Sequence, residues 1–382
     1  MEQFRVTNIP VFKPLIENQE LEAVRDSLEA GWLGMGKLVG EFEEKISEFL
    51  GLSDRFVAAV STGHAALHLA MLAANFEKDS EIITPAFNNV ADFQAITAAG
   101  CKPVFCDIEE DSLCIDPKSV ESLISEKTRA IIAMDYFCCI ANHDEISALA
   151  KKNNLRVIHD AAHSFGSFYN GKKVGTFSDI CMFSFDPVKT ITCIDGGILI
   201  VRSEEELSLI RKMRLIGMDQ SAPVMYQNKR AWNYDVDQVG YRYHLSNPHA
   251  AMGLAQLSKM PLITKIRQSS CSLYNSLLRD IPEVKVPQSD FKEVTPFLYY
   301  LRIEEKYRDE LRDYLAKAGI DTGIHWQPGH HFSLFSDAKS GALDVTEQIA
   351  KEILSLPLHS DINQETIHFI SSKINDFFIE NR

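Results

Sequence analysis

The feature that most constrains the fold of this chain is a strict alternation of short β-rich runs and helical patterns from Phe56 to Val201. The β-rich runs are FVAAVS, EIITPA, KPVFCDI and RAIIAMDY, each followed by a helical pattern such as GHAALHLAMLAANF, and the series closes with RVIHDAA. Strands that alternate with helices form a mostly parallel sheet covered on both faces. The sequence therefore predicts an α/β fold with a mostly parallel central sheet between helices.

The alternation breaks between two further strand-like runs, ICMFSF and GGILIV, which are separated only by residues 186–195. A helical crossover between parallel strands usually needs about a dozen residues or more. We therefore expect a different connection here, and such irregularities often carry function.

The length of the chain, 382 residues, exceeds the usual size of a single hydrophobic core. We expect a large domain over 1–245 and a smaller C-terminal α+β domain over 246–382, with helical patterns over 204–216 and 249–281. The stretch 217–243 has no clean periodicity and is long for a passive connection, which predicts a functional or interface loop.

The charge balance excludes some partners. With 39 basic and 53 acidic residues the net charge is −14, which would repel a nucleic-acid backbone. No apolar run approaches the roughly 18 residues of a membrane span, and the first residues lack the pattern of a signal peptide. We expect a cytoplasmic protein with no nucleic-acid or membrane partner.

The eight cysteines show no C-x-x-C pair and no zinc-like spacing. Most lie in apolar runs, where a thiol behaves as a small hydrophobic group. We expect buried free thiols in a reducing compartment, and no metal site.

Candidate functional residues follow the apolar runs, because ligands of open α/β sheets lie outside the carboxyl ends of the strands. The first candidate is the turn 61–66, STGHAA, where a helix N-terminus could hold a phosphate. Taken alone, this motif is more often an ordinary N-cap by Ser61 or Thr62.

Two more candidates follow later runs. Asp160 follows the apolar run Val157-Ile158 with only His159 between, and a carboxylate there needs a cation or a strong donor such as a protonated pyridine nitrogen. An aspartate there is about as often a turn cap. Lys189, in SFDPVKT before Gly196 and Gly197, lies in an apolar neighbourhood that should lower its amine pKa and favour attack on an aldehyde. An isolated loop lysine is usually only exposed.

The order of these signals, a phosphate-type turn, an aspartate behind a strand and Ser-x-x-x-x-Lys before Gly-Gly, resembles the fold-type I pyridoxal 5'-phosphate (PLP) enzymes. Within them it resembles the DegT/DnrJ/EryC1/StrS family of sugar aminotransferases, most closely in STGHAALHLAML, VIHDAAHSFGSFYNGKKVGTFSD and FSFDPVKTITCIDGG. The similarity runs from Gly31 to Leu358. It implies ping-pong transfer of an amino group from glutamate to a nucleotide-linked keto-sugar, for surface polysaccharide or lipopolysaccharide.

The resemblance also implies roles for single residues. Lys189 matches the lysine that carries PLP as a Schiff base and shuttles a proton, and Asp160 matches the partner of the pyridine nitrogen. His163 falls near the ring hydroxyl, and Ser184 matches a hydroxyl that holds the phosphate.

Backbone groups of Gly63, His64 and Ala65 match the rest of the phosphate site. Three residues depart from the family pattern. His64 replaces a small hydroxyl residue, and Asn89 stands where an aromatic ring usually stacks on the cofactor. His244 replaces an asparagine that reaches the phosphate from the neighbouring subunit, in a homodimer whose 217–243 region crosses to the other pocket.

Other basic and aromatic loop residues could contact the diphosphate, base or sugar: Lys229, Arg230, Trp232, His325, Trp326, His330 and His331. Residues of these types in loops are usually only exposed, so none is assigned a catalytic role.

Alternatives to this function remain open. A cyclitol aminotransferase keeps the same fold and chemistry, whereas the sugar dehydratase branch of the family has histidine in place of Lys189. A non-catalytic relative used for sensing or assembly is suggested by the three departures. A dinucleotide-binding oxidoreductase would need G-x-G-x-x-G after the first strand, which is missing.

Overall fold

The computed structural model describes residues 8–219, 222–229 and 232–381. Arg230, one of the candidate substrate contacts, lies outside these residues. The helices of the described residues are α1 (Asn18–Glu29), α2 (Lys37–Leu50), α3 (Gly63–Ala73), α4 (Val90–Ala98), α5 (Pro117–Leu123), α6 (His143–Asn153), α7 (Glu204–Met213), α8 (Ala222–Met225), α9 (Asn247–Ser258), α10 (Met260–Leu278), α11 (Glu305–Lys317), α12 (Asp344–Glu352) and α13 (Gln364–Glu380). The strands are β1 (Phe56–Val60), β2 (Glu81–Pro85), β3 (Lys102–Cys106), β4 (Thr128–Met134), β5 (Arg156–Asp160), β6 (Phe168–Tyr169), β7 (Lys172–Lys173), β8 (Ile180–Ser184), β9 (Gly197–Val201), β10 (Val284–Lys285), β11 (Tyr299–Ile303) and β12 (Ile353–Leu356).

The central sheet has seven strands in the order β1-β9-β8-β5-β4-β2-β3. The strand pairs β5–β8, β4–β5, β2–β4 and β2–β3 are parallel, and β9 is antiparallel to both of its neighbours. The predicted α/β fold with a mostly parallel sheet is confirmed. Because β9 returns beside β8 in the opposite direction, the short link between them needs no crossover helix.

The two faces of the sheet explain which side chains reach the site. Along β8, Cys181 and Phe183 pack with α2, whereas Met182 packs on the opposite face with α3. Since successive side chains of a strand alternate between faces, Ser184 lies on the same face as Met182. Asp160 is likewise on the face of Ile158, which also packs with α3. Both polar side chains therefore point toward the start of α3.

A second, antiparallel sheet has the order β10-β11-β12 and lies in the C-terminal part of the chain. Helix α9 packs against α1 and α2. The predicted domain boundary after residue 245 stays a prediction.

Two predicted helices differ in detail from the structure. The helix expected over 204–216 ends at Met213, just before Ile216 and Gly217 adopt left-handed φ angles of 63° and 76°. The pattern over 249–281 forms two helices, α9 and α10, because Pro261 starts a new helix in its first turn.

All eight cysteines are buried and free, as predicted. Among the helices of the described residues, none combines the length and apolarity needed to cross a bilayer.

Candidate functional site

The carboxyl ends of β1, β5 and β8 open onto one cleft, which is where an open α/β sheet binds its ligands. Seven of the nine predicted cofactor-binding residues line this cleft: Gly63, His64, Asn89, Asp160, His163, Ser184 and Lys189. Ala65 and His244 do not line it.

The phosphate-type turn forms the N-terminus of α3. Thr62 is the N-cap residue, and its hydroxyl accepts a hydrogen bond of 3.0 Å from the Ala65 N–H. The N-cap interpretation is therefore right, and the Ala65 N–H is already engaged. Gly63 and His64, the first two helical residues, border the cleft. The positive end of the helix dipole favours an anion at this position.

Glycines allow the turn to approach β8 and β9 closely. A Cβ atom on Gly63 would lie 2.6 Å from both Cβ and Oγ of Ser184, and one on Gly197 would lie 2.4 Å from the Thr62 carbonyl oxygen. Both distances are shorter than any van der Waals contact. The absence of these two side chains brings the Ser184 hydroxyl beside the helix N-terminus and leaves a cradle suited to a phosphate.

Replacing Gly63 with alanine should weaken PLP binding. The added methyl group would push Ser184 away from the cradle, and overpacking of this kind typically costs about 1–3 kcal/mol. We expect the PLP dissociation constant to rise about 10-fold or more, measured by absorbance titration. Gly341→Ala is the control, since its Cβ would meet only Leu123 at 3.5 Å. Equal PLP affinity of the two variants would contradict the role assigned to this turn.

Asp160 ends β5 and is 4% exposed. Its Oδ1 accepts a hydrogen bond of 2.9 Å from the Ala162 N–H. Burial raises the pKa of the Asp160 carboxyl to about 6, although the Ala162 N–H and the nearby Lys189 amine oppose this rise. A buried carboxyl whose pKa stays raised despite these groups is suited to pairing with a cationic ligand group.

Lys189 faces Asp160 from the irregular link between β8 and β9. Burial lowers the pKa of the Lys189 amine, and the carboxylates of Asp186 and Asp160 only partly offset this effect. The Nζ atom lies 4.4 Å from the ring centroid of Phe297. A larger fraction of neutral amine is therefore available for attack on a carbonyl group.

His163 also lines the cleft and is 2% exposed. Its Nδ1 donates to the Asp135 carbonyl oxygen at 3.2 Å, and its ring stacks on Phe297 at 4.6 Å between centroids. Burial and the Lys189 amine place the His163 pKa well below its usual value. The neutral ring then has Nε2 available as an acceptor.

Asn89 lines the cleft but has a structural task as well. It is the N-cap residue of α4, and its Oδ1 accepts a hydrogen bond of 2.9 Å from the Ala91 N–H. An aromatic side chain could not cap the helix in this way.

A buried network behind the cleft was not predicted from the sequence. The Asp135 carboxylate binds His143 Nε2 at 2.9 Å and His159 Nε2 at 2.7 Å, and it also accepts from the Ser164 hydroxyl. Burial alone would raise the pKa of Asp135, but the two histidines hold it well below its usual range. The Asp135 N–H also donates to the Asp160 carbonyl oxygen at 3.2 Å. This network fixes the ends of β4 and β5.

His244 borders a different cleft of the same chain, together with Lys229 and Trp232. His330 and His331 both hydrogen bond to Glu347. None of these predicted candidates lines the Lys189 cleft, although the backbone of His244 pairs with Val60, just before the turn at Gly63.

His325 and Trp326 lie beside the Lys189 cleft. The Trp326 ring is parallel to that of His163 at 6.2 Å, and burial together with the Lys189 amine lowers the pKa of His325 to about 4. His325 Nδ1 hydrogen bonds to Ser355 Oγ at 2.9 Å.

Two site residues, Phe297 and Asp92, escaped the sequence analysis. Phe297 comes from just before β11, and Asp92 lies in the first turn of α4. Asp92 lies beyond the end of β2, inside the helix that follows it, and Phe297 follows no strand of the central sheet. Neither belongs to the motifs near strand ends that marked Lys189 and Asp160, or to the family pattern that marked the other residues.

Comparisons with known proteins agree with this geometry. The sequence profile of the DegT/DnrJ/EryC1/StrS aminotransferase family matches residues 14–375. An uncharacterized protein of Methanocaldococcus jannaschii is 29% identical over 386 residues, covering 99% of this chain and 100% of the relative.

Solved structures are similar over nearly the whole chain. Helicobacter pylori PseC, an aminotransferase involved in the biosynthesis of pseudoaminic acid, has a TM-score of 0.89 and 27% identity, covering 98% of this chain and 100% of PseC. Spr1654 of Streptococcus pneumoniae in its PMP form has a TM-score of 0.89 and 25% identity, covering 96% and 98% of the two chains. DesV of S. venezuelae has a TM-score of 0.86 and 26% identity, covering 94% of each chain.

Proposed function

Because this chain belongs to the DegT/DnrJ/EryC1/StrS aminotransferase family, we propose that it transfers an amino group from glutamate to a nucleotide-linked keto-sugar. Its class, a PLP-dependent aminotransferase, is the one predicted from the sequence. The proposed acceptor is a 4-keto-6-deoxyhexose. A 3-keto sugar is the alternative acceptor and is less expected. The product would be an amino sugar for a surface polysaccharide or lipopolysaccharide.

The observation that carries this proposal is the meeting of Lys189, Asp160 and the Gly63–Ser184 cradle in one cleft. Each matches one part of PLP: an amine for the aldehyde, a carboxylate for the ring nitrogen and an anion cradle for the phosphate. Bound PLP supplies an electron sink next to the reacting amine nitrogen.

The proposed roles of the residues follow from their surroundings. Asp160 neutralises the pyridine nitrogen from a position where burial has already raised the pKa of its carboxyl. Lys189 Nζ holds the cofactor and, once released, moves a proton at the donor carbon. His163 Nε2 accepts a hydrogen bond from the ring hydroxyl. Phe297 and Trp326 exclude water beside these groups.

A homodimer is also part of the proposal. The side chains of Trp232 and Val239, in the segment 217–243, are 86% and 79% exposed. Large apolar side chains that are this exposed in one segment are consistent with a surface that a protein partner covers. In a dimer this segment and His244 would complete the neighbouring subunit's phosphate site. We place the enzyme in the cytoplasm, where nucleotide sugars and reduced thiols coexist.

The substrate proposal is tested by turnover of the pyridoxamine form of the enzyme against a panel of nucleotide 4-keto and 3-keto sugars and a cyclitol ketone. We expect return of PLP absorbance with a nucleotide keto-sugar, and none with the matching nucleotide sugar that has no ketone. Reaction only with the cyclitol ketone would contradict the sugar proposal while leaving the reaction class intact.

A further inference from the structure

Asp92 is a carboxyl group with no exposed surface, and it interacts with Asp160 of the proposed cofactor site. It occupies the third position of α4, in the helix's first turn. Its Oδ2 accepts a hydrogen bond from the Asn88 amide. Its Oδ1 receives no hydrogen bond from a donor group of the described residues. The Asp92 carboxyl also interacts with the carboxyl of Asp160, which acts on it both through its charge and as a hydrogen-bond partner.

Two carboxyl groups can hydrogen bond to each other only if one carries a proton. Two buried carboxylates in contact would repel each other in a medium of low dielectric constant, so such pairs hold one proton between them. The contact between Asp92 and Asp160 therefore requires a shared proton.

The surroundings decide which carboxyl carries that proton. Asp160 has the Ala162 N–H as a donor and faces the Lys189 amine, and both favour its anion. Among the described residues, the donor to Asp92 is the neutral amide of Asn88. Asp135, another nearby carboxylate, acts on Asp160 and disfavours its anion. The proton therefore belongs on Asp92.

The helix dipole acts in the opposite direction, because the N-terminus of α4 favours a negative charge on Asp92. That effect is modest compared with the desolvation of a fully buried carboxylate. Burial and the Asp160 charge together raise the pKa of Asp92 well above its usual value.

We propose that Asp92 remains a neutral carboxylic acid at neutral pH and donates its proton in a hydrogen bond to the Asp160 carboxylate. It is a positioning residue: it fixes the orientation of Asp160 and stabilises its anion, and it does not touch the cofactor. The effect of Asp92 on catalysis rests on the proposed role of Asp160, whereas the proposed protonation state of Asp92 does not depend on that role.

The first test is the pH dependence of unfolding of the full-length, cofactor-free chain. A carboxyl whose pKa is raised on folding stabilises the protein below its unfolded pKa, and this stability is lost as the pH rises toward the folded pKa. Asp92→Asn removes that loss. Near pH 4 the variant and wild type should have similar folding equilibrium constants. As the pH rises above 4, the constant of the variant should increase about tenfold per pH unit relative to that of wild type.

The control for this test is Asp280→Asn, an exposed position on the protein surface. Its unfolding should follow the wild-type pH dependence. An Asp92→Asn profile parallel to wild type from pH 4 to 8 would overturn the proposal.

The second test is infrared spectroscopy of the same cofactor-free protein at neutral pH. Wild type should show a buried carboxylic acid band that disappears in Asp92→Asn. In Asp160→Asn the band should persist but shift, because an amide oxygen accepts more weakly than a carboxylate. A band that disappears only in Asp160→Asn would place the proton on Asp160 and overturn the proposal. Neither test uses a sugar or turnover, so failure of the substrate proposal would leave both results interpretable.

Discussion

Lys189→Ala should abolish measurable amino transfer while the protein stays folded. General acid–base catalysis by one positioned side chain contributes about 10²–10⁴-fold, and this variant also loses the covalent attachment of the cofactor. We therefore expect a decrease in kcat of at least about 10⁴-fold, together with loss of the absorbance of covalently bound PLP. Initial rates and absorbance spectra at saturating PLP measure both effects.

The control for this variant is Lys152→Ala. Lys152 is 68% exposed and pairs with Glu121 on the surface, so its removal should change neither quantity. Full activity of Lys189→Ala would mean that another amine carries the cofactor.

Asp160→Asn should be almost as damaging to catalysis, because an amide cannot neutralise a protonated pyridine nitrogen. By analogy with the loss of a single electrostatic contact in other active sites, we expect kcat to fall about 10²–10³-fold. The asparagine Oδ1 can still accept the Ala162 N–H, so the local backbone should be retained. Asp337→Asn, at an exposed position, provides the control.

The same substitution should stabilise the cofactor-free protein. The Asp160 pKa is raised on folding from 3.8 to about 6, so the stability that this carboxyl contributes is complete below about pH 4 and is lost by about pH 6. Above pH 6 the variant should be more stable than wild type by roughly 3 kcal/mol. Denaturant unfolding at pH 4 and pH 8 measures the difference. A variant that loses activity and also stability at pH 8 would contradict the assignment of Asp160 as a strained, functional carboxylate.

The residues found from the sequence share one physical property. Lys189, Asp160 and Ser184 each end or follow an apolar strand, and the carboxyl ends of parallel strands meet at one edge of the sheet. The alternation of strands and helices predicts this sheet, so local patterns indicate which residues lie at its carboxyl edge. The polar residues near the ends of apolar runs marked Asp160 and Lys189 as candidates, but only their order along the chain and the family resemblance gave them and Ser184 their predicted roles.

The residues missed from the sequence depend on packing between distant segments. Asp92 lies in the first turn of a helix, where an acidic residue is common and usually solvated, so its complete burial could not be foreseen. Phe297 reaches Lys189 from a distant part of the chain. The partners of Asp135 could not be identified from the sequence either, because His143 and His159 contact its carboxylate only once β4 and β5 have paired.

Ala65 and His244 illustrate two other limits. The helix N-terminus was recognised, but which of its N–H groups remains available depends on Thr62, which engages Ala65. His244 lies in the cleft with Lys229 and Trp232, and its proposed contact belongs to the neighbouring subunit. A pattern within one chain does not specify geometry between two chains.

The attachment point of the cofactor is the most direct measurement of the central claim. Protein incubated with PLP, reduced with borohydride and digested should yield a single modified peptide, with the phosphopyridoxyl group on Lys189. The Asp160→Asn protein should give the same peptide at a lower yield. Modification of wild-type protein at another lysine, with Lys189 recovered unmodified, would contradict the account.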